Sequence, residues 1–307
     1  MLISLKPFSG ALPRINPRLL PEINAQIARN ARLKSGALEP IRLPKAEYAF
    51  GADVGTIFKD GATWHGWTSP GVSVARAPVA QDRLYFTGDG VPKMRVAGVD
   101  YDLALPAPAA APTLTALSAV DDALYETVLY AYTFVTSFGE ESRPSPLSAP
   151  LDWSEGVDVR LTGFSAAPGG RGITSMRIYR SQTTTSGITD LFFVDEIPVA
   201  TVTYDHDLTA KPIQNPILTT DFDTPPDTLQ GLVSLPNGMM AAFDGRDVYF
   251  CEPYQPHAWP EKYVLTVDHT IVGLAGFGSV LAILTSGTPY IAQGTHPDTM
   301  AMEKMER

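Results

Sequence analysis

The chain has 307 residues, of which 44% are hydrophobic, so two or three domains with ample apolar core are predicted. Its 33 acidic and 23 basic side chains give a net charge of −10, which argues against a protein that grips nucleic acid through cations. A single cysteine, Cys251, excludes an internal disulfide and a cysteine-based zinc site.

The N-terminus lacks a signal-peptide pattern, and no apolar run reaches membrane-spanning length. We therefore expect a soluble protein that folds in the cytoplasm and does not contact a membrane. Proline and glycine are dispersed between short apolar runs, which is typical of many short strands joined by turns. The composition predicts a mainly β protein.

The first predicted element is one short helix within residues 19–36, in an N-terminal arm that we place at residues 1–45. Pro21 suits the first helical turn and Gly36 is a typical stop. Apolar residues recur at helical spacing between them. This stripe comprises Ile23, Ile27, Ala28 and Ala31.

The opposite face of this helix carries three cations. Arg29 and Arg32 lie in its second half and Lys34 lies near its end. Cations on one exposed face favour contact with an acidic partner, so these residues are a candidate interface. A solvated helix face without a partner is an equally acceptable interpretation.

Residues 46–106 read as strands with hairpin signals. Asp60-Gly61 is a tight-turn pair between two short runs, and residues 87–90 contain a second glycine-rich turn. This spacing predicts a four-stranded sheet of the kind found in β-propeller blades.

Residues 107–223 begin with a proline-rich linker at residues 106–113 and then contain six or seven short strands, which favours a fibronectin-type β-sandwich. In YAYTFVTSFGEESRPSPLS, alternating residues from Tyr130 onwards predict a core strand that ends at Gly139. Two prolines exclude a central strand after that point. We predict an exposed loop there that contacts a neighbouring subunit.

The charged residues of this loop complete the candidate interface. They are Glu140, Glu141 and Arg143.

Residues 224–307 return to the blade-like pattern, with turn pairs at Asn237-Gly238 and Asp244-Gly245. Residues 81–94 and 245–259 share an acidic residue, an aliphatic residue, Tyr-Phe and a later proline, which is a weak internal repeat. The predicted fold is therefore mainly β: partial propeller-like blades interrupted by a fibronectin-type sandwich, with one short N-terminal helix. The last blade region is expected to be incomplete.

Chemical motifs favour no enzyme, metal or cofactor. The five histidines are scattered, and Asp205-His206-Asp207, the one histidine flanked by carboxylates, sits where a turn is expected. The glycine-rich residues 168–172 lack the Lys-Ser or Lys-Thr of a phosphate loop. The turn at residues 59–67 resembles a sialidase Asp-box but departs from its spacing, so a plain hairpin is preferred.

Three stretches, in this order, resemble the tail nozzle or tail tubular proteins of short-tailed bacteriophages. They are LPEINAQIARNARLKSGALEP at residues 20–40, the Phe-Gly-Glu-Glu-Ser stretch with the later MRIYRS, and GLVSLPNGMMAAFDGRDVYFCEPYQPHAWP at residues 231–260. The similarity covers nearly the whole chain.

The resemblance implies a structural virion protein, assembled in the host cytoplasm, that forms a six-membered homo-oligomeric ring in the tail. Its expected partners are the portal or adaptor, other tail proteins and fibres, with DNA passing through during ejection without specific binding. Family members usually continue through further blades. A second polypeptide completing the propeller is therefore also expected.

Two alternatives remain open. A receptor- or carbohydrate-binding tail module would use the sandwich loops and the aromatic residues Trp64, Trp67 and Tyr254, which would then be exposed and clustered in a groove. A propeller glycosidase would need two carboxylates at a catalytic separation, at least one of them with a perturbed pKa.

Overall fold

A computed structural model describes residues 9–32, 39–41, 43–76, 78–80, 82–121, 123, 125–183, 189–207 and 215–305. Strands account for 45% of the residues and helical turns for 3%, which confirms a mainly β protein. Within the described residues no closed barrel or propeller is present, and no helix is long and apolar enough to cross a membrane. The chain divides into two compact units, Met1–Ala52 and Asp53–Arg307.

The predicted N-terminal helix is wrong, because the described part of residues 19–36 consists of turns and short strands and contains no α-helix. The described residues of the first unit hold a 3-10 turn at Pro17–Leu19 and four short strands, paired as β1 with β2 and β3 with β4. Their bounds are β1 Gly10–Ala11, β2 Asn24–Ala25, β3 Ala31–Arg32 and β4 Glu39–Pro40.

Polar side chains explain this departure from the helix. The Asn24 side-chain amide donates to the Gly10 carbonyl at 3.2 Å, and the Gln26 amide donates to the Ile15 carbonyl at 3.1 Å. Such bonds compete with a helix, which at this length is marginal without a packed face. Ile27, in the expected apolar stripe, is exposed.

The second unit begins with a hairpin, β5–β6, and a four-stranded antiparallel sheet in the order β10–β9–β8–β7, here named the first sheet. The hairpin turn predicted at Asp60-Gly61 is confirmed, with Gly61 at a φ of 58°. The strands are β5 Thr56–Asp60, β6 Thr63–Trp67, β7 Ser73–Arg76, β8 Arg83–Thr87, β9 Lys93–Val96 and β10 Val99–Asp102.

Eight strands follow among the described residues between 113 and 206. They form two three-stranded sheets, β11–β15–β18 and β13–β16–β17, and the pair β12–β14. One buried cluster draws Tyr132 from β13, Leu161 from β15 and Ile178 from β16, so the two sheets share a core. The strands are β11 Thr113–Ala116, β12 Glu126–Val128, β13 Tyr130–Thr136, β14 Leu151–Trp153, β15 Val159–Thr162, β16 Ile173–Thr183, β17 Thr189–Pro198 and β18 Thr203–His206.

Two further four-stranded antiparallel sheets complete the unit: the middle sheet, β19–β22, and the last sheet, β23–β26. Short 3-10 turns lie at Glu261–Tyr263 and Pro297–Thr299. The strands are β19 Gln230–Ser234, β20 Met240–Asp244, β21 Asp247–Phe250, β22 Leu265–Thr266, β23 Ile271–Phe277, β24 Val280–Thr285, β25 Tyr290–Gln293 and β26 Ala301–Lys304.

The middle sheet is buried on both faces. Met240 packs in one cluster with Tyr85 of the first sheet, whereas Ala241 packs in another with Leu281 and Ile283 of the last sheet. Successive residues of a strand point to opposite faces, so a strand covered on both sides needs apolar residues throughout. This accounts for the apolar run of β20.

Candidate functional site

The segment at residues 142–148, here called the serine segment, runs beside β13. Its serine N–H groups donate to carbonyl oxygens of β13, and its serine hydroxyl oxygens accept from N–H groups of the same strand residues. The N–H groups of Ser142, Ser145 and Ser148 donate to the carbonyls of Phe134, Tyr132 and Tyr130 at 2.9, 2.8 and 2.9 Å. The reciprocal bonds to the hydroxyls measure 2.9, 3.2 and 3.0 Å.

The prolines are explained by this spacing. The serine segment advances three residues for every two of the strand, so its bonded positions recur at every third residue. Pro144 and Pro146 fall between them, where no N–H is required. The segment therefore protects the edge of β13 without being a regular strand.

The prediction of an exposed loop is wrong for Glu140 and Glu141, which are buried. Both carboxylates have partners within the chain, which is why they leave the surface. Arg143 is half-exposed and forms an ion pair with Asp223.

The other predicted interface residues lie in the N-terminal unit. Arg29 and Arg32 are exposed there, and Lys34 lies outside the described residues. The structure thus places Glu140 and Glu141 against side chains that the sequence did not predict as their partners. An interface role for the four remaining residues stays a prediction.

Glu140 is the centre of a group, buried except for the partly exposed Arg83, that is here called the polar junction. It comprises Arg83, Tyr85, Glu140, Arg171 and His257. Arg171 Nη2 lies 2.7 Å from Glu140 Oε2, Arg83 Nη1 lies 3.6 Å from Glu140 Oε1, and His257 Nδ1 lies 4.0 Å from the same oxygen.

The junction joins distant parts of the chain. Arg83 and Tyr85 come from β8, and Glu140 follows β13. Arg171 precedes β16 and His257 follows β21. Residues from all three predicted regions after the N-terminal arm therefore meet around one carboxylate.

Burial sets the protonation of the junction. It lowers the pKa of Arg171 and lowers that of His257 to about 4, because removal from water disfavours the charged forms. Burial, and then the Glu140 charge, raise the pKa of Tyr85 to about 12. His257 Nε2 lies 2.9 Å from the Glu141 carbonyl oxygen, which can only accept, so this nitrogen carries the proton of a neutral ring.

Glu141 is held by three side chains. Thr133 Oγ1 and Tyr179 OH donate to its Oε1 at 2.7 and 2.6 Å, and Arg177 Nη1 donates to Oε2 at 2.6 Å. Thr133 lies on β13, while Arg177 and Tyr179 lie on β16. This carboxylate therefore cross-links neighbouring strands.

The Asp205-His206-Asp207 motif serves the fold at two of its positions. His206 lies in strand β18, is buried, and its Nδ1 is 2.8 Å from the Tyr130 hydroxyl, whereas Asp205 pairs with Arg160 at 2.7 Å. Among the described residues, no group of three or more His, Cys, Asp and Glu side chains is placed to hold a metal ion.

The aromatic residues proposed for ligand binding do not share one environment. Trp67 is buried and its ring centroid lies 5.2 Å from that of Phe86. Trp64 is half-exposed beneath the ammonium of Lys59, at 4.9 Å. Tyr254 is exposed and lies against the turn at Gly238.

A surface groove of about 710 Å³ lies beside the Arg143–Asp223 pair. Tyr249, which is half-buried, contributes aromatic surface, whereas Trp259 beside it is only 1% exposed, and Glu261 lies on the rim of the groove. Glu261 also approaches Asp223, because its backbone N–H donates to Asp223 Oδ2 at 3.1 Å. The groove combines apolar surface with carboxylates, which suits a polar ligand with apolar faces.

Several carboxylates outside the groove have perturbed pKa values. The direction of these shifts bears on the glycosidase alternative. The hydrogen bond from Ser175 lowers the pKa of Glu196, and those from Arg95 and Arg160 lower the pKa of Asp100 and Asp205. A catalytic acid of a glycosidase requires a raised pKa. These three carboxylates do not suit that role.

Comparison with protein-family models gives no match to this chain, and comparison with curated proteins gives none either.

Proposed function

We propose that the chain is a structural component of a bacteriophage tail, a subunit of the nozzle or tail-tube ring. The observation that carries the proposal is the polar junction, because ionisable groups from three parts of the chain are buried there against one another. Removing one member of a buried ion pair is costly, so such an arrangement links the parts of the chain that supply it. A ring subunit that must keep its shape needs this property.

The arrangement of the strands also supports the proposal. We interpret the two three-stranded sheets with a shared core as the fibronectin-type sandwich, and the first, middle and last sheets as propeller-like blades. This is the order of parts in the family that the sequence resembles. The sandwich is then an insertion, held to its neighbours by the polar junction.

The proposed ring has six copies and docks to the adaptor, to other tail proteins or to fibres in the virion. The net charge of −10 favours passage of DNA without retention, because few cations would bind phosphate. Arg29, Arg32, Lys34 and Arg143 are the proposed contact residues.

Native mass spectrometry and negative-stain electron microscopy of the purified chain test the ring. We expect closed particles of about six copies with a central opening. Arg29→Glu with Arg32→Glu should weaken them, whereas Arg14→Glu, exposed in the same unit, should not. A protein that stays monomeric at high micromolar concentration contradicts the ring.

A second candidate function is a carbohydrate-binding tail module, favoured by the groove of about 710 Å³ with Tyr249. Aromatic surfaces beside carboxylates suit sugar rings and their hydroxyl groups. Titration calorimetry against host surface oligosaccharides tests it. Binding that is lost in Tyr249→Ala would support this function, and absence of binding would reject it.

A further inference from the structure

The charge of the chain is divided unequally between its two units. The first unit, Met1–Ala52, carries eight basic and three acidic side chains, whereas the second, Asp53–Arg307, carries 15 basic and 30 acidic ones. Their net charges are therefore +5 and −15. Because surfaces of opposite charge attract each other, the first unit of one copy is complementary in charge to the second unit of another copy.

The first unit also presents an apolar side chain next to unpaired cations. None of its described residues is buried, and Ile27 is 72% exposed. Arg29 and Arg32 are exposed and form no ion pair within the described part of the chain. Residues 27–32 are here called the basic segment. Removing Ile27 from water and pairing the two guanidinium groups would both favour association.

The groove beside the Arg143–Asp223 pair has the opposite charge. Two carboxylates that line it, Asp227 and Glu261, are exposed, and among the described residues neither forms an ion pair. Arg143 also lines the groove but is already paired with Asp223. The groove therefore offers two anions that have no counter-charge.

The rest of the groove lining is largely apolar. Tyr249 and Val264 contribute to it, together with two prolines and two alanines. Burial and then the charge of Asp247 raise the pKa of Tyr249, so the aromatic ring lies in an acidic setting. Apolar surface beside unpaired anions is complementary to the isoleucine and the arginines of the basic segment.

We propose that the basic segment of one copy docks into this groove of a second copy. Ile27 packs against the apolar lining beside Tyr249, and Arg29 and Arg32 pair with the Asp227 and Glu261 carboxylates. The contact joins two different surfaces, so its repetition gives a closed ring or an open fibre. The inference rests on the ring assembly proposed above and names its contact.

The charges favour this occupant of the groove over a sugar. A neutral sugar would leave the Asp227 and Glu261 carboxylates without a counter-charge. Sugar rings stack on exposed aromatic faces, and Trp259 is only 1% exposed. The basic segment supplies both the cations and the apolar side chain that the groove lacks.

The first test is analytical ultracentrifugation of the full chain, of Ile27→Asp in the basic segment and of Asp227→Lys in the groove. We expect the wild type to self-associate with rising concentration and both variants to require at least tenfold higher concentration. Leu19→Asp is the control for the first, because Leu19 is 76% exposed in the same unit. Glu155→Lys is the control for the second, because Glu155 is an exposed acid that does not line the groove. Thermal melting of all five proteins checks that they remain folded.

The second test exchanges charges between the two surfaces. One variant combines Arg29→Glu with Arg32→Glu, and the other combines Asp227→Lys with Glu261→Lys. Each variant alone places like charges together in the contact, so each should self-associate several-fold more weakly than the wild type. In a mixture, each basic segment meets a groove of opposite charge when the two variants alternate. The mixture should therefore recover the association of the wild type.

The outcomes separate this contact from the ring. Six-membered rings that tolerate Ile27→Asp and Asp227→Lys overturn the contact and leave the ring intact. Association that these variants abolish, with no closed ring in micrographs, supports the contact and overturns the ring. A monomeric wild type overturns both, and a mixture that fails to recover association overturns the pairing of the arginines with the groove carboxylates.

One further outcome would assign the groove to the carbohydrate-binding alternative. Self-association that is unchanged by Asp227→Lys, together with oligosaccharide binding that is lost in Tyr249→Ala, would show that the groove holds a sugar. The proposed contact would then be wrong.

Discussion

Arg171 and Glu140 form a buried ion pair, with Nη2 of the arginine 2.7 Å from Oε2 of the glutamate. Arg171 is only 1% exposed. Two charges removed from water stabilise each other, so loss of one leaves the other uncompensated. The pair connects the turn after β13 to the loop before β16, and its loss should affect the whole junction.

Arg171→Met should therefore destabilise the protein by about 3–5 kcal/mol, measured by urea unfolding at pH 7. Arg160→Met is the matched control, because Arg160 also pairs with an acid, Asp205, but at the surface. The control should leave the urea midpoint near that of the wild type. Equal midpoints for the two variants would show that the buried pair adds no stability.

The stability of the protein should fall in mild acid because of His257. Its pKa is about 4 in the fold, beside Glu140 and Arg171, and about 6.5 when unfolded. The unfolded state then binds more protons between these values, so this contribution is complete above about pH 6.5 and is lost as the pH falls towards 4. The slope reaches at most about 1.4 kcal/mol per pH unit.

Urea unfolding at pH 7, 6 and 5 checks this expectation. His257→Gln removes the titrating group, so its stability should decline less than that of the wild type over this range. His269→Gln, at an exposed histidine, should follow the wild type. Parallel curves for all three proteins would be contrary to the expected role of His257.

Ser145→Ala should cost about 1–3 kcal/mol, because the buried N–H of Tyr132 loses the hydroxyl that accepts its hydrogen bond. The substitution is small and keeps the hydrogen bond from the backbone N–H of residue 145 to the carbonyl of Tyr132. Ser118→Ala, at an exposed serine, is the control. Chemical denaturation should separate the two, and matching free energies would mean that the hydroxyl is dispensable.

Local features of the fold could be predicted from the sequence. Asp60-Gly61 and Asn237-Gly238 form the expected turns, with φ values of 58° at Gly61 and of 60° and 74° at Asn237 and Gly238. Such turns depend on residues that tolerate positive φ, which the sequence displays directly. The prediction of an N-terminal helix was wrong, because amphipathic spacing does not show whether the chain provides a surface for the helix to pack against.

The polar junction could not be predicted in this way. Glu140 looks like an ordinary turn residue, and its partners Arg171 and His257 lie 31 and 117 positions further along the chain. No local pattern indicates that these side chains meet. The serine segment did carry a signal, the recurrence of serine at every third residue among prolines.

A further prediction concerns two glycines of the turn between β8 and β9. Both have positive φ, 92° at Gly88 and 81° at Gly90, but a Cβ at Gly88 would lie 2.3 Å from the Gly71 carbonyl oxygen, whereas Gly90 faces open space. Gly90→Ala should cost about 1–2 kcal/mol through backbone strain alone. Gly88→Ala should cost distinctly more, since backbone must also move.

Thermal melting of the two alanine variants distinguishes these effects. The Gly88→Ala variant should melt well below the Gly90→Ala variant, or fail to accumulate as folded protein. Equal melting temperatures would mean that the backbone near Gly71 moves aside at little cost in free energy.

Three residues of the serine segment run beside every two residues of β13, so the strand fixes the number of residues in the segment. Substitutions at the intervening positions, such as Pro146 and Leu147, leave the bonded serines in step with β13. A single inserted or deleted residue instead shifts every later serine out of register. Homologous chains should therefore vary in the identity of the intervening residues while keeping their number constant.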